Sequence, residues 1–475
     1  MISLLLRPLV TQKAYAMETK PSNTMQWLLT CLVSFLFILI PLLYSGRTLE
    51  SLLIMELVGV ILLGLMGWFN LWQGNLNKTA IVLLVSFLAI PIIYLIPIPY
   101  EWWIELPGRL RYQESVEWLY QQGSTPTPYL AISIIPYKTA HALLAMLPLI
   151  AITLVVGSLT FSFRYKLVVL FLILASIQAL IALVQFTNPN AEWLSWLAAD
   201  TGRSSQGTYR NRDHLATFMI IALPMAIGLM IYSIGLKQSI DASTKETKEW
   251  RITTTLFYLF VLLLILAGAI FTRSRAGILL TLLVLIITLP LFAPHMGGKK
   301  TLGITASILG LGGAILASIG LIPVLNRFIL SNAAEDERWR MASITIKAIK
   351  EFFPIGTGPS TFQEIYRGFQ PVDQLHFINH AHNDYLELIL ETGALGIAVL
   401  VLTLLVYIRG WVAMWDTRWD RERIIKTAAG IGILMFMLHA SLEFTSHTPA
   451  NALFLAFLAG LFLKLPNRTQ LKNYS

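Results

Sequence analysis

Apolar runs of about twenty residues recur along this chain, near 26–44, 51–69, 79–98, 139–159, 166–186 and 214–233 in the first half. The second half repeats them near 252–271, 276–293, 302–322, 393–410, 427–444 and 449–465. Each matches the roughly twenty residues that a helix needs to cross a bilayer. Transmembrane barrel strands would instead alternate over about ten residues, and only helices and closed barrels satisfy backbone polar groups in lipid. Composition agrees: 13% of residues are charged and the mean hydropathy is +0.67, whereas soluble domains carry about a quarter charged residues. The expected fold is an all-α polytopic membrane protein of about twelve transmembrane helices. Its one cysteine, Cys31, lies in the first apolar run and cannot form a disulfide within the chain. The first run follows about 25 residues and lacks a small-residue cleavage site, so no cleavable signal is expected.

The links between the runs divide the chain. Residues 1–25 and 466–475 are expected as cytoplasmic tails, and 26–322 as spans one to nine with long outer loops at 99–138 and 187–213. Residues 323–392 form a large, partly helical outer loop, and 393–465 hold spans ten to twelve. With the N-terminus inside, 20 basic residues face the cytoplasm and 15 face outward, which sets both termini inside. The net charge of +9 is explained by these short links, and no nucleic-acid partner is expected. The kind of base is more telling than the count. Twelve of the 15 outward bases are Arg, against eight of the 20 inward ones. Lysine suffices for topology, whereas the guanidinium fork suits a phosphate.

Three outward elements carry groups suited to chemistry. The first is Gly207-Thr208-Tyr209-Arg210-Asn211-Arg212-Asp213-His214, preceded in the same loop by Arg203. The second is Thr272-Arg273-Ser274-Arg275-Ala276-Gly277, at the tip of a tight hairpin between spans seven and eight. The third is Asn379-His380-Ala381-His382-Asn383-Asp384-Tyr385-Leu386-Glu387, closing at Gly393-Ala394-Leu395-Gly396. Arginines at the mouth of a helix bundle either reach headgroups or bind an anion, and Asn379 or Asn383 would cap the helix that follows. The glycine-rich stretch Gly356–Phe362 lacks the Lys-Ser/Thr of a nucleotide loop and reads as a turn that positions the histidine helix. His380-x-His382 offers two zinc-type ligands, but the sequence shows no third beside them, and Glu335-Asp336-Glu337 runs straight into Arg338.

Taken in order, Gly207–Thr208 with Asn211–His214, Ser274-Arg275-Ala276-Gly277, Pro354–Phe362, and His382-Asn383-x-x-Leu386 with Gly393-x-x-Gly396 resemble the O-antigen ligase/polymerase family. The likeness runs over roughly residues 200–410, and the twelve-span plan, GT-C-like in outline, extends it along the chain. It implies a bacterial inner-membrane glycosyltransferase working on the periplasmic side, with no metal ion and no cofactor. The donor would be a glycan on undecaprenyl diphosphate, and the acceptor lipid A-core, a growing glycan or a protein. By motif, His382 would serve the acceptor, and Arg275 and Arg212 the diphosphate, with Arg210 or Arg203 as alternatives to Arg212. Arg273, His380 and Asn383 would assist in substrate binding, and either Asp384 or Glu387 would orient the imidazole of His382. The chemistry is consistent: fixed guanidinium groups stabilise a departing pyrophosphate, and histidine suits the deprotonation of a hydroxyl near neutral pH.

Two other classes compete. A polysaccharide transporter or flippase would place ionisable groups near the membrane midplane on broken helices and often shows internal repeats; none is visible here. A non-catalytic scaffold would use the Arg-rich face to hold anionic lipid.

Overall fold

The computed structural model describes residues 21–71, 76–121, 129–188, 205–235, 248–292, 298–318, 332–414 and 419–465. Arg203, the two tails expected at 1–25 and 466–475 (apart from residues 21–25), and the first part of the large outer loop lie outside them. The described residues are helical nearly throughout. The helices are α1 (Asn23–Leu42), α2 (Leu49–Trp68), α3 (Lys78–Tyr94), α4 (Tyr100–Glu105), α5 (Gln113–Gln121), α6 (Pro136–Ser158), α7 (Phe161–Thr187) and α8 (Arg212–Gly235). They continue with α9 (Lys248–Phe271), α10 (Arg275–Phe292), α11 (Gly298–Ser318), α12 (Asn332–Phe352), α13 (Phe362–Arg367), α14 (Asp384–Met414), α15 (Arg421–Ala440) and α16 (Pro449–Leu463). Among the described residues, nine of these helices are long and apolar enough to cross a membrane, and Lys78–Tyr94, Ala306–Ile315 and Pro449–Leu463 are shorter apolar segments. The protein is an all-α polytopic membrane protein.

The bundle is built around α8, which is enclosed along nearly its whole length from Leu215 to Ile231. Aromatic rings interlock beneath its first turns: Phe218 stacks on Phe454 at 4.5 Å, and Phe37 meets Phe454 and Phe457 edge-on at 5.1 Å each. Buried amides then tie the segment before α8 into the bundle. Gln185 Oε1 accepts from the backbone N–H groups of Gln206 and Gly207 at 3.0 and 2.8 Å, and Gln178 donates to Thr208 Oγ1 at 2.7 Å. Thr208 in turn donates to the Pro41 carbonyl at 2.6 Å. Buried polar groups need such partners, so Gly207–Thr208 are fixed from below.

A second, smaller apolar cluster (Met341, Ile344, Phe352, Phe362, Tyr366, Leu390) joins α12, α13 and the start of α14 into a cap. A two-stranded antiparallel ribbon, β1 (Pro97–Pro99) with β2 (Tyr129–Ala131), lies beside it. The buried Arg109 guanidinium donates to the carbonyls of Ile132 and Gly356 at 2.8 and 3.1 Å, coupling the ribbon segment to the glycine-rich turn. Burial pushes its pKa down to about 10.

Candidate active site

The site forms where the links between helices meet the first turn of α14. Asn383 caps that helix, its Oδ1 accepting from Tyr385 N and Leu386 N at 3.1 and 3.0 Å, while its amide donates to the Ser441 carbonyl at 2.9 Å. Ten residues on, α14 breaks at Gly393 (φ 53, ψ −132), so a short helix is set at an angle to the longer apolar one. The glycine-rich turn fills the break. Thr357 N and Gly358 N donate to the Glu391 carbonyl at 3.1 and 2.8 Å, Ala394 N donates to the Pro354 carbonyl at 2.8 Å, and Glu391 Oε1 accepts from Phe362 N at 3.0 Å. The expected positioning role of Gly356–Phe362 is thereby given a hydrogen-bond pattern.

His382 is held in the left-handed backbone region at φ 50, which costs a non-glycine residue energy and recurs at functional sites. Its Nδ1 lies 2.9 Å from Glu443 Oε2. The other carboxylate oxygen of Glu443 accepts from Arg338 Nη2. Glu443 is 1% exposed, whereas His382 keeps 29% of its side chain open. A carboxylate bound to Nδ1 makes that nitrogen the N–H and leaves the lone pair on Nε2. This corrects the expectation that Asp384 or Glu387 orients His382: Glu443 does so, from 61 residues further along the chain.

Glu387 instead serves His380, whose Nδ1 is 2.9 Å from its Oε1, while Glu387 Oε2 accepts from Ala381 N at 2.9 Å. His447 Nε2 reaches the same Oε1 at 3.3 Å, and Asp384 Oδ1 at 3.7 Å. Phe444 sits at the hub, stacked on His380 at 4.5 Å and meeting His382 and His214 edge-on at 4.8 and 4.6 Å. Above the same ring lies the guanidinium carbon of Arg47, at 5.4 Å. Arg47 Nη2 donates to His214 Nδ1 and Thr448 Oγ1 at 3.2 and 3.3 Å. Burial, and then the neighbouring Arg210, lowers the Arg47 pKa. For His447 burial dominates and pushes the imidazole down to about 4, with Glu387 opposing the shift. Since 31% of that side chain remains exposed, water on the open side moderates the effect.

The arginines chosen from sequence are distributed around this end of the bundle. Arg210 packs over Tyr44 at 5.0 Å, and Arg212 opens α8 with Asp213 at 3.9 Å. Arg273 (φ 52) lies over Phe186 at 5.1 Å, and Arg275 begins α10. A side chain at Gly277 would stand 2.8 Å from Ala216 Cβ, so the first turns of α8 and α10 touch, which puts Arg212 and Arg275 at the same end. Arg203 lies outside the described residues.

Sequence reasoning missed Arg47, Arg338, Glu443, Phe444 and His447. One signal was available: Glu443 falls at the end of the apolar run 427–444, where an ionisable group is a functional pointer by default.

Residues 260–402 match the family described as O-antigen ligase. This match, over under a third of the chain, supports the resemblance to the O-antigen ligase/polymerase family. The matched segment runs from within α9 through the Arg273–Arg275 hairpin, the glycine-rich turn and the histidines into α14. It therefore includes three of the four motifs; Gly207–His214 lies before it. Members of this family are membrane enzymes of the glycosyltransferase/ligase type. No curated protein matches the chain.

Proposed function

We propose that the protein transfers a glycan from undecaprenyl diphosphate to a hydroxyl of lipid A-core, at the periplasmic face of the bacterial inner membrane. The observation that carries this reading is the Arg338–Glu443–His382 relay, which leaves Nε2 of an open histidine basic at the end of the bundle where Arg210, Arg212 and Arg275 also stand. His382 Nε2 takes the proton of the acceptor hydroxyl. The acceptor oxygen attacks the anomeric carbon from the face opposite the diphosphate, and the anomeric C–O bond to the diphosphate breaks with inversion. Charge that grows on the departing diphosphate is met by Arg275 and Arg212, with Arg210 and Arg273 beside them, so that the transfer itself calls for no metal ion. Asn383 holds the helix start and the Ser441 carbonyl, and so keeps His382 against α15.

The site is less suited to a transporter. His380, His382 and His447 sit in the links that precede or separate helices, whereas transport sites are built near the midplane. His382→Ala is expected to abolish transfer while leaving insertion intact, and Arg275→Lys to impair it severely, because an ammonium cannot reproduce the guanidinium fork. The measurement is glycan transfer by purified variants, with folding checked by gel filtration. Full activity in both variants would sink the site assignment.

A further inference from the structure

His380 has no place in the proposed transfer, yet it is held as firmly as His382. Its Nδ1 and the Nε2 of His447 converge on one oxygen, Glu387 Oε1, at 2.9 and 3.3 Å. The ligand-type atoms of these three residues all lie within 4.8 Å of one another. Asp384, one helical turn before Glu387, stands outside that set but beside His447. Its Oδ2 accepts from Ser446 N at 2.9 Å and Thr445 Oγ1 at 3.3 Å, but its Oδ1, 3.7 Å from His447 Nε2, is buried and has no hydrogen-bond partner. Asp384 is 9% exposed. Two hydrogen bonds would explain the His380–Glu387–His447 contacts; they leave the orphaned Asp384 oxygen without an explanation.

We propose that His380 Nδ1, His447 Nε2, Glu387 Oε1 and Asp384 Oδ1 form a binding site for one divalent transition-metal ion of the zinc class. Two imidazoles with two carboxylates match what zinc takes in a tetrahedral site, at roughly 2.0–2.2 Å from the metal. The imidazoles disfavour magnesium and calcium, which prefer oxygen. Outer contacts that hold such ligands in place are already present: Ala381 N on Glu387 Oε2, Ser446 N on Asp384 Oδ2, and the Phe444 ring against His380. The sequence hid the set because His447 stands 67 residues beyond His380. The ion joins three separate segments: the loop bearing His380, the first turn of α14 and the short helical turn Thr445–His447. It thereby fixes Phe444 and the loop bearing His382, and takes no part in holding the diphosphate.

The test uses the full-length protein in detergent, purified through a tag without histidine and stripped with EDTA. Zinc alone and cobalt(II) alone are then titrated in, and bound metal per chain is measured after gel filtration. The expected result is one zinc per chain, a cobalt absorption band typical of a tetrahedral site, and a thermal midpoint that rises with zinc. Glu387→Gln and His447→Ala should each weaken zinc binding by about 100-fold or more, and Asp384→Asn, which keeps the side chain's shape, should weaken it and shift the cobalt band. His376→Ala, at an exposed histidine outside the cluster, should change nothing. Absence of stoichiometric zinc in the unaltered protein, or the same stoichiometry and affinity in the Glu387→Gln and Asp384→Asn variants, would overturn the proposal. No glycan donor enters these readouts, so their failure leaves the transfer reading untouched, and a protein without transferase activity could still bind zinc.

Discussion

Glu443 carries two duties: its carboxylate accepts hydrogen bonds from Nδ1–H of His382 and from the guanidinium of Arg338, within a nearly closed environment. Replacing it with Gln keeps the volume but substitutes an amide that can present either a donor or an acceptor to the imidazole. The tautomer of His382 is then no longer fixed, and the general-base contribution, typically 10²–10⁴-fold, is exposed to loss. Glu443→Gln should therefore lower kcat by about 10²-fold with little change in KM for the donor. A steady-state comparison of the two constants checks this; a pure KM effect would assign Glu443 to substrate binding instead. His382 and Asn383 were legible in the sequence because they share a short motif with the helix they start. Glu443, His447 and Arg47 were not, because each acts across 60 residues or more, Glu443 from the end of an apolar run and the other two from links of only a few residues.

The element on which the site depends is the broken helix α14. Its first turns carry Asp384, Glu387 and Glu391, and the break at Gly393 receives the carbonyl of Pro354. A Cβ at position 393 would lie 2.0 Å from that oxygen, and φ there is +53. Glycine is thus required on both steric and conformational grounds. Gly393→Ala should undock the glycine-rich turn, lower the thermal midpoint and reduce transfer together. Limited proteolysis between Phe352 and Phe362 reports the undocking, and an unchanged cleavage pattern would show that the turn is held by other contacts. The partly helical character of 323–392 and the tight hairpin between spans seven and eight were readable from local periodicity and spacing, and both are found, as α12 and as the α9–α10 turn. The break at Gly393 was seen only as the edge of a span, since an apolar run has no signature for a change of helix direction.

For the whole molecule, each of the twelve apolar runs predicted from sequence overlaps a helix among the described residues, nine of them long enough to span, because hydropathy over twenty residues is a direct readout of what lipid demands. The histidine cluster also gathers residues from links that the Lys/Arg bias assigned to one side: Arg47, His382 and His447. If that side is periplasmic, a Cys31→Ser background with cysteine placed at the exposed Ser115 should label with a membrane-impermeant maleimide in spheroplasts. Cysteine at the exposed Ser162, beyond the next span, should label only after lysis. The reverse pattern would invert the topology.

The most direct measurement incubates purified protein with an undecaprenyl-diphosphate-linked glycan and lipid A-core, without added divalent metal. Glycan joined to the core is expected, with release of undecaprenyl diphosphate, and no product from His382→Ala. Lengthened lipid-linked glycan in place of core product would make the protein a polymerase of the same family. No transfer to core or glycan, or transfer undiminished in His382→Ala, would contradict the role of His382 in glycan transfer.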